Sequence, residues 1–566
     1  MDWYRRCFCR PILLIGIGLL AGSGALAAAD DPFPVARPET RAEALAWLSG
    51  PTSATVPCST PSIQFARSIA PFAQSPAVGP ALALLDGPVR LSSEESAIGP
   101  DGVPVRYTIH PATPDAISAD DEDGNGRPDL LDGTLAGLAE ARRLLVEELA
   151  LAPPHLSDVV LLDLGERPGG YVSASLDRAA RIRIVLPAAP AGGPAEARRA
   201  AIHQYAHAVA LALSPSFPPQ WAEAFAAWTG LTLDGSPGPG LTAAFGARLD
   251  QLHTGLVSND PSLAAGNALW FAFLEQNYGR TAVRVAAEEL ARGLPVTTAL
   301  DRAVRRISTD DLPAAFREFH LWSILVGARA DGHHFSFADR LADPTFGFSA
   351  EGLPALAVQA TPPLAPLGAT QFRLVPGTNE GGMSLRFEGD FAARWEADLL
   401  LVDERGLIRR VPLALSPENG GQRIVPLDGF VEALLLVRVL DSDDGAAHRF
   451  TFAAHREARF PFELDSIAAV PLDPPGSGVL VSWETSSEQQ LLGFNVLRER
   501  EDGGQTVAVN PVWIPALGDE TLPTSYHYLD RTAREGIVYR YRVEGITTDG
   551  LTSRSDPVTA QPAGPR

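Results

Sequence analysis

The spacing of apolar residues divides the chain into a mixed region, a helical region and a β-rich region. Strict alternation over 103–109 predicts a half-buried strand, and apolar residues at helical spacing over 130–149 predict a helix. Two further strands are predicted at 159–164 and 181–186. The second alternates arginine with aliphatic residues, which favours a position at a sheet edge with one wet face. A helix is predicted at 195–213, after a loop rich in Pro and Gly.

The region from Pro219 to about Leu341 keeps a helical spacing, and its segments end near Gly, Asn or Pro. It is predicted to form a helical subdomain. After a Pro-rich linker at 361–368 the pattern changes to short alternating segments, which favour a β-sandwich. These segments are 371–375, 383–387, 397–402, 408–413 and 433–440.

The length of the chain, 566 residues, exceeds what one hydrophobic core usually supports, so several domains are expected. These patterns predict a multidomain α+β protein. The expected boundaries are an N-terminal segment at 30–100, which acts as a propeptide or a wrap, a mixed domain with its helical subdomain at 101–350, a β-sandwich at 366–458 and a last β domain at 462–562.

The N-terminus has the pattern of a secretory signal peptide. Three arginines lie within the first ten residues, an apolar run follows at 12–20, and small residues at 25–27 provide a cleavage site. We therefore expect a signal peptide at 1–29 and a secreted or periplasmic protein, with no membrane span after cleavage. The alternative is an uncleaved membrane anchor, although the run is short and interrupted by glycines.

The net charge of −22 argues against nucleic acid as a partner, because a polyanion would be repelled. Apolar residues make up 45% of the chain and charged residues 20%, a composition typical of globular proteins. Cysteine indicates nothing about redox chemistry, since only Cys58 remains after signal cleavage.

The candidate chemistry lies in the predicted helix at 195–213, which contains His203-Gln204-Tyr205-Ala206-His207. Two histidines at i and i+4 share one helical face and can bind Zn²⁺, and in the HExxH pattern the Glu between them acts as the general base. Here Gln204 stands at the general-base position, and its amide cannot accept a proton at neutral pH. Glu223, in a Trp-x-Glu-x-x-x-x-Trp frame on the next helix, would complete a His₂Glu site.

These motifs resemble the gluzincin class of zinc metallopeptidases, in which a downstream Glu is the third zinc ligand. The run from Tyr107 to about Trp322 also resembles proteins assigned as secreted bacterial zinc metalloproteases. The resemblance implies a zincin-like metallopeptidase core, with His203, His207 and Glu223 as zinc ligands and Gln204 in place of the catalytic Glu.

The chain departs from this family at a second position. Relatives commonly read Glu-Gly-Leu-Ala-Glu after the Trp, whereas residues 223–227 read Glu-Ala-Phe-Ala-Ala, so the carboxylate one turn beyond the ligand is missing. Loss of a group that orients a ligating histidine typically costs about 10- to 100-fold in metal affinity or activity. The site is therefore predicted to be degenerate, with little or no proteolysis, and to be retained for binding a protein or peptide.

Two alternatives remain open. One is an active secreted zinc endopeptidase that uses another base, for which His253, Glu275 and Tyr278 are candidates, although a packing or surface role explains each of them better. The other is a surface adhesion or scaffold protein without metal. The pair His333 and His334 follows a Gly in a polar turn, where a solvated loop explains it as well as a ligand role.

The segment 121–132 matches a twelve-residue calcium loop in part. Gly126 stands at position six, and position twelve is Asp instead of the usual bidentate Glu. The alternative is a turn that caps the helix beginning near Leu130. The candidate calcium ligands are Asp121, Asp123, Asn125, Arg127, Asp129 and Asp132.

The last β domain resembles a fibronectin type III module. The resemblance depends on Trp483 on an early strand and on Tyr539 and Tyr541 on a late strand. It implies a spacing or adhesion role for this domain.

Overall fold

The structure, a computed structural model, describes two compact units, one ending at Pro344 and one formed by His253–Gly255 together with the chain from Thr345. The predicted signal peptide at 1–29 and Cys58 lie outside the described residues. The described residues are 44, 60, 63, 78–165, 169–174, 181–359, 362–377, 381–427, 429–457, 462–472, 478–488, 490–519, 522–548 and 550–562.

The first unit contains a five-stranded sheet in the order β1-β2-β3-β5-β4. Strands β2, β3 and β5 run parallel, and β1 and β4 pair antiparallel to their neighbours at the two edges. Because β1 belongs to this sheet, the domain begins before the predicted boundary at residue 101. The strands are β1 Glu95–Ile98, β2 Pro104–Tyr107, β3 Leu156–Leu162, β4 Tyr171–Ala174 and β5 Ile182–Pro187.

The prediction that segment 181–186 forms an edge strand is wrong. Strand β4 pairs along the outer side of β5, so β5 is an inner strand. Of the two arginines that suggested a wet face, Arg183 is partly buried: its Nε donates to Asp158 Oδ1 at 2.9 Å, and its Nη1 donates to the carbonyl oxygen of Gly87 at 3.1 Å. Arg183 therefore marks an ion pair with the neighbouring strand β3.

Both faces of the sheet are covered. Ile63 and Leu85, the latter from helix α1 (Val78–Asp86), pack with Leu162, Tyr171 and other residues of one sheet face. On the other face, α3 packs on β5 and α2 packs on α3. Successive residues of a strand point to opposite faces, so burial on both faces explains the continuous apolar run of β3.

The predicted helical region is confirmed, and upstream of it a π-helical turn at Arg143–Glu148 extends the first long helix. The helices are α2 Asp129–Arg142, α3 Gly193–Leu213, α4 Pro219–Asp234, α5 Pro239–Asp250, α6 Ala268–Tyr278, α7 Thr281–Leu290, α8 Val296–Ile307 and α9 Leu312–Ile324. Trp270 and Phe273 of α6 pack against Phe319 of α9 with ring centroids 5.3 and 5.7 Å apart. None of the helices among the described residues has the length and apolar character needed to span a bilayer.

Helices α2 and α3 approach closely through glycine. A Cβ at Gly133 would lie 2.3 Å from the carbonyl oxygen of Pro194, and one at Gly137 would lie 2.3 Å from that of Arg198. The Arg198 side chain then links three helices, because it hydrogen-bonds Glu140 of α2 and Asp234 of α4. This packing fixes the position of α3, which contains both histidines.

Substituting Gly137 with Ala is expected to destabilise the first unit by about 1 to 3 kcal/mol, because the two helix backbones must separate. Gly230→Ala is the matched control: Gly230 also lies inside a helix, and a Cβ there meets nothing within 4 Å. That substitution is expected to raise stability by up to about 1 kcal/mol. Denaturation followed by circular dichroism at 222 nm measures both effects. Equal effects of the two substitutions would contradict the close approach.

The second unit begins with two facing sheets, ordered β11-β10-β13-β8-β6 and β12-β9-β14-β7. Apolar residues of both sheets form one core. The strands are β6 Phe348–Glu351, β7 Ala355–Gln359, β8 Gly368–Val375, β9 Gly382–Gly389, β10 Ala393–Asp403, β11 Ile408–Leu413, β12 Gly420–Pro426, β13 Phe430–Ser442 and β14 Phe450–Glu457.

The sandwich sheet already includes β6, so its strands begin before the predicted boundaries at 350 and 366. Phe348 is in register with Phe372 of β8, in a parallel pair. Residues 362–368 of the predicted linker also belong to the sandwich, because Leu364 is fully buried and pairs with His448. Proline in this segment therefore marks an irregular stretch within the domain.

The last β domain has one sheet in the order β15-β16-β20 and another in the order β18-β17-β21-β22, with β19 on β17 and β23 on β21. Trp483 stacks on Tyr526 at 5.4 Å in its core. The strands are β15 Phe462–Pro471, β16 Val479–Glu488, β17 Leu491–Arg500, β18 Val507–Ala508, β19 Ile514–Pro515, β20 Thr524–Asp530, β21 Tyr539–Thr547, β22 Thr552–Arg554 and β23 Val558–Ala560. The protein is thus a mixed α and β unit followed by β-sandwich sheets, which agrees with the predicted multidomain α+β class.

Candidate metal centre

Two consecutive helices bring the candidate ligands together. Helix α3 ends at Leu213, and α4 begins at Pro219, where the fixed φ of proline suits the first helical turn. His203 and His207 lie one turn apart on α3, and Glu223 lies in the second turn of α4. The short connection places the start of α4 beside the end of α3, so the three side chains meet.

The three ligand atoms form a triangle with nearly equal sides. His207 Nε2 lies 3.2 Å from His203 Nε2 and 3.1 Å from Glu223 Oε2, and His203 Nε2 lies 3.4 Å from the same oxygen. Zinc bonds to nitrogen and oxygen of about 2.0 to 2.2 Å at tetrahedral angles require donors roughly 3.3 Å apart. The donor set and its spacing therefore fit a zinc ion.

Burial differs among the three residues. His207 is fully buried and Glu223 is 2% exposed, whereas the His203 side chain is 20% exposed. Burial raises the pKa of the Glu223 carboxyl, but the two imidazoles, His203 first, hold that pKa well below its usual range. The carboxyl group is therefore held in the ionised form that a metal ligand needs.

Gln204 is fully buried and uses both ends of its amide. Its Oε1 accepts a hydrogen bond from Thr60 Oγ1 at 2.8 Å, and its Nε2 donates one to the carbonyl oxygen of Gly169 at 2.6 Å. The second bond requires an N–H donor, which an ionised Glu lacks. Gln204 therefore ties α3 to the chain just before β4 and to the N-terminal segment.

The other candidate bases have structural roles. Glu275 accepts a hydrogen bond from Trp228 Nε1 at 2.8 Å and pairs with Arg280 at 2.8 Å. The Tyr278 hydroxyl donates to Asp310 Oδ2 at 2.8 Å. His253 groups with the second unit, whereas the three candidate ligands belong to the first.

The histidine pair at 333 and 334 lies in a polar turn. His334 Nδ1 lies 2.8 Å from Asp331 Oδ2, and its ring packs edge-on against Trp322 at 5.2 Å. These contacts hold the loop on α9.

The acidic turn combines features of both sequence interpretations. Carboxylate oxygens of Asp121, Asp123 and Asp129 lie within 4.8 Å of one another. Asp132, at the position of the bidentate ligand, instead pairs with Arg127 at 3.0 Å. The Asn125 side-chain amide donates to Asp123 and Asp132. Helix α2 begins at Asp129, so two of these carboxylates lie in its first turn, as the capping interpretation expects.

Sequence reasoning missed Thr60, Gly169 and β4. Thr60 lies 144 residues from Gln204 in the chain, and no local pattern marks it as part of the site. Strand β4 is four residues long and too short for a clear alternation. The buried Gln at the general-base position was the available signal, because a buried amide needs partners for both of its ends.

Comparison with known proteins does not place the chain in a family. No family model matches the chain, and no curated protein matches it. Among solved structures, a β-1,2-glucanase from Parabacteroides distasonis is 10% identical over 35% of this chain and 31% of its own, with a TM-score of 0.12. The adhesin domain of Epf from Streptococcus pyogenes is 13% identical over 35% of this chain and 72% of its own, with a TM-score of 0.15.

A tandem CBM22 domain of Xyn10C from Paenibacillus barcinonensis is 10% identical over 37% of this chain and 80% of its own, with a TM-score of 0.14. At these scores the likenesses support no inference about this chain. Its function must be argued from its own residues.

Proposed function

We propose that this protein is an exported, zinc-binding relative of the gluzincin metallopeptidases that has little or no proteolytic activity and binds a protein or peptide. The observation that supports it most is the triangle formed by His203, His207 and Glu223, with donor atoms 3.1 to 3.4 Å apart. These three residues would hold one zinc ion.

The surroundings of the triangle support a zincin-like core. The helix with both histidines follows the inner strand β5 and packs against it, and the antiparallel strand β4 forms the edge of the same sheet. Gln204 connects that helix to Gly169, two residues before β4. An edge strand next to a metal helix would allow an extended peptide to lie beside the zinc ligands.

The low activity follows from what the chain's own residues can do. A bound zinc ion would supply a Lewis acid at this position. Gln204 cannot take up a proton, and its amide is already engaged at both ends. Loss of a general base costs about 10² to 10⁴-fold in rate. Glu275 and Tyr278 are engaged in helix packing, which argues against the active endopeptidase alternative.

We assign the last β domain as fibronectin type III-like, with a spacing or adhesion role. The supporting observations are the three-stranded sheet, the second sheet built around β17 and β21, and Trp483 stacked on Tyr526 in the core. A calcium ion in the acidic turn at 121–132 stays a prediction. Measurement of calcium in the purified protein tests it.

Metal analysis of the purified full-length protein, combined with cleavage of fluorescein-labelled casein, tests the proposal. We expect about one zinc ion per chain and casein cleavage no faster than in the same sample treated with a chelator. Absence of zinc would refute the metal centre. Zinc together with chelator-sensitive cleavage would show that the protein is an active peptidase.

A further inference from the structure

The last β domain has a row of exposed apolar residues along β19. Among the described residues, β19 pairs only with β17. Ile514 and Ala516 pack on the core of the domain, so the residues that alternate with them face away from it. Together with the exposed residue before them, these form an apolar stripe that consists of Val512, Trp513, Pro515 and Leu517. Its three members other than proline are 51% to 75% exposed.

The stripe lies in a part of the chain without charge. Residues 503–518 include no Asp, Glu, Lys or Arg, whereas 20% of the whole chain is charged. The buried Asn510 uses its amide within the domain, where its Nδ2 donates to the carbonyl oxygen of Val512 at 2.9 Å. Contiguous exposed apolar residues mark an interaction surface more often than scattered ones do. The partner of this surface must therefore accept an uncharged, apolar face.

The side chains of the stripe offer one hydrogen-bonding group, the indole N–H of Trp513. An interface with another protein typically has about ten direct hydrogen bonds and a polar rim, which this face does not supply. A lipid surface needs neither. Tryptophan is enriched where a bilayer meets water, because its ring is apolar and its N–H can still bond in the headgroup region.

The backbone beside the stripe is hydrogen-bonded inside the domain. The N–H groups of residues 516–518 donate in turn to the carbonyl oxygen of Leu492 at 3.2 Å, the hydroxyl of Tyr526 at 2.7 Å and Oε2 of Glu488 at 2.9 Å. Pro515 has no N–H. Hydrocarbon contains no water to bond backbone groups, so a segment that enters it needs such internal partners. These three N–H groups keep their partners when the stripe leaves water.

We propose that the apolar stripe inserts into the surface of a lipid bilayer and docks the last β domain there. The bilayer surface is zwitterionic or neutral: Asp502 and Asp519 border the uncharged run, and the net charge of the chain is −22. An anionic surface would repel these charges. This inference goes beyond the proposed function, since it concerns a different domain and does not depend on zinc.

The test measures cosedimentation of the full-length protein with sucrose-loaded vesicles of pure phosphatidylcholine. We expect wild type to bind, and the double variant Trp513→Ser with Leu517→Ser to bind at least about tenfold more weakly, because two apolar side chains lose their burial. Wild type should bind vesicles of phosphatidylglycerol less well at low salt. Wild type that leaves phosphatidylcholine vesicles unbound, or a double variant that binds them as wild type does, would refute the insertion.

Phe391→Ser is the matched control for general adhesion of exposed apolar residues. Phe391 is 86% exposed in the turn between β9 and β10, outside the stripe. We expect this variant to bind phosphatidylcholine vesicles as tightly as wild type. A loss equal to that of the double variant would mean that any exposed apolar side chain contributes, and it would overturn the specific role of the stripe.

Tryptophan fluorescence tests the insertion directly. The other six tryptophans of the described part of the chain are each at most 7% exposed. Vesicles of dibrominated phosphatidylcholine should therefore quench wild type more than Trp513→Phe, a variant that keeps an apolar ring and should still bind. Equal quenching of the two proteins would show that Trp513 stays outside the bilayer, which contradicts the proposal.

Sedimentation velocity without lipid tests the other occupant of the stripe, a second copy of the chain. We expect wild type and the double variant to have the same sedimentation coefficient. A wild-type dimer that the double variant does not form would show that the stripe joins two copies, and it would refute docking on lipid. Circular dichroism at 222 nm confirms that the variants are folded.

Discussion

Replacing His203 with Ala is expected to lower the zinc affinity of the protein by more than about 100-fold. Residues that only orient a zinc ligand already contribute about 10- to 100-fold, and His203 is itself one of the three proposed ligands. His203 is the most exposed of the three, so its removal should disturb the core least. Isothermal titration with zinc after chelator treatment measures the affinity.

Thermal stability gives a second measurement of the same prediction. Zinc that binds only the folded state stabilises it by about 2.7 kcal/mol at a free concentration 100 times Kd. The wild-type protein should therefore melt at a higher temperature with zinc than without, and His203→Ala should lose most of this shift. The metal-free forms of the two proteins should differ much less from each other.

His334→Ala is the control for this experiment. His334 also lies next to a carboxylate, but its partner Asp331 belongs to an exposed turn outside the triangle. We expect its zinc affinity and its zinc-dependent melting shift to equal those of wild type. Tight zinc binding that survives in His203→Ala would contradict the proposed ligand set.

The meeting of His203, His207 and Glu223 could be predicted from sequence because its information is local. Histidines four residues apart on a helix must share a face, and a short connection to the next helix brings Glu223 alongside. The helices around them followed from the same periodicity. Whether zinc occupies the triangle stays a prediction.

The role of Gln204 could not be predicted, because both of its partners come from elsewhere in the fold. Thr60 is 144 positions away and Gly169 is 35 positions away. The same limit explains the error about β5. An alternating Arg pattern shows that one face of a strand is polar. It does not show that Asp158 of the neighbouring strand neutralises the arginine charge. Pairings of this kind are set by topology and not by the residues of one segment.

The sandwich boundary was misplaced for a related reason. Proline at 362, 363 and 366 interrupts the alternation that indicates a strand. The segment nevertheless places Leu364 in the core between strands of the same domain. Composition therefore marked where the regular strands stop, whereas burial decides where the domain stops.

Replacing Gln204 with Glu is expected to destabilise the zinc-free protein by about 1 to 3 kcal/mol. The Gln204 amide N–H donates to the carbonyl oxygen of Gly169 at 2.6 Å, and an ionised carboxylate would place two acceptors against each other in a fully buried position. Denaturation followed at 222 nm measures the loss. Gln276→Glu is the matched control, because the exposed Gln276 uses only its oxygen, as acceptor from the backbone N–H of Ser336 at 2.8 Å. It should change stability by less than about 0.5 kcal/mol.

Gln204→Glu also distinguishes a site that lacks only its general base from a site that has changed to serve binding. The new carboxylate would still accept the hydrogen bond from Thr60, which holds it toward the N-terminal segment. We therefore expect zinc-loaded Gln204→Glu to cleave casein no faster than its chelator-treated sample. If only the base were absent, cleavage should rise by about 10² to 10⁴-fold over wild type. Such a gain would show that the site still admits substrate, and it would contradict the binding role.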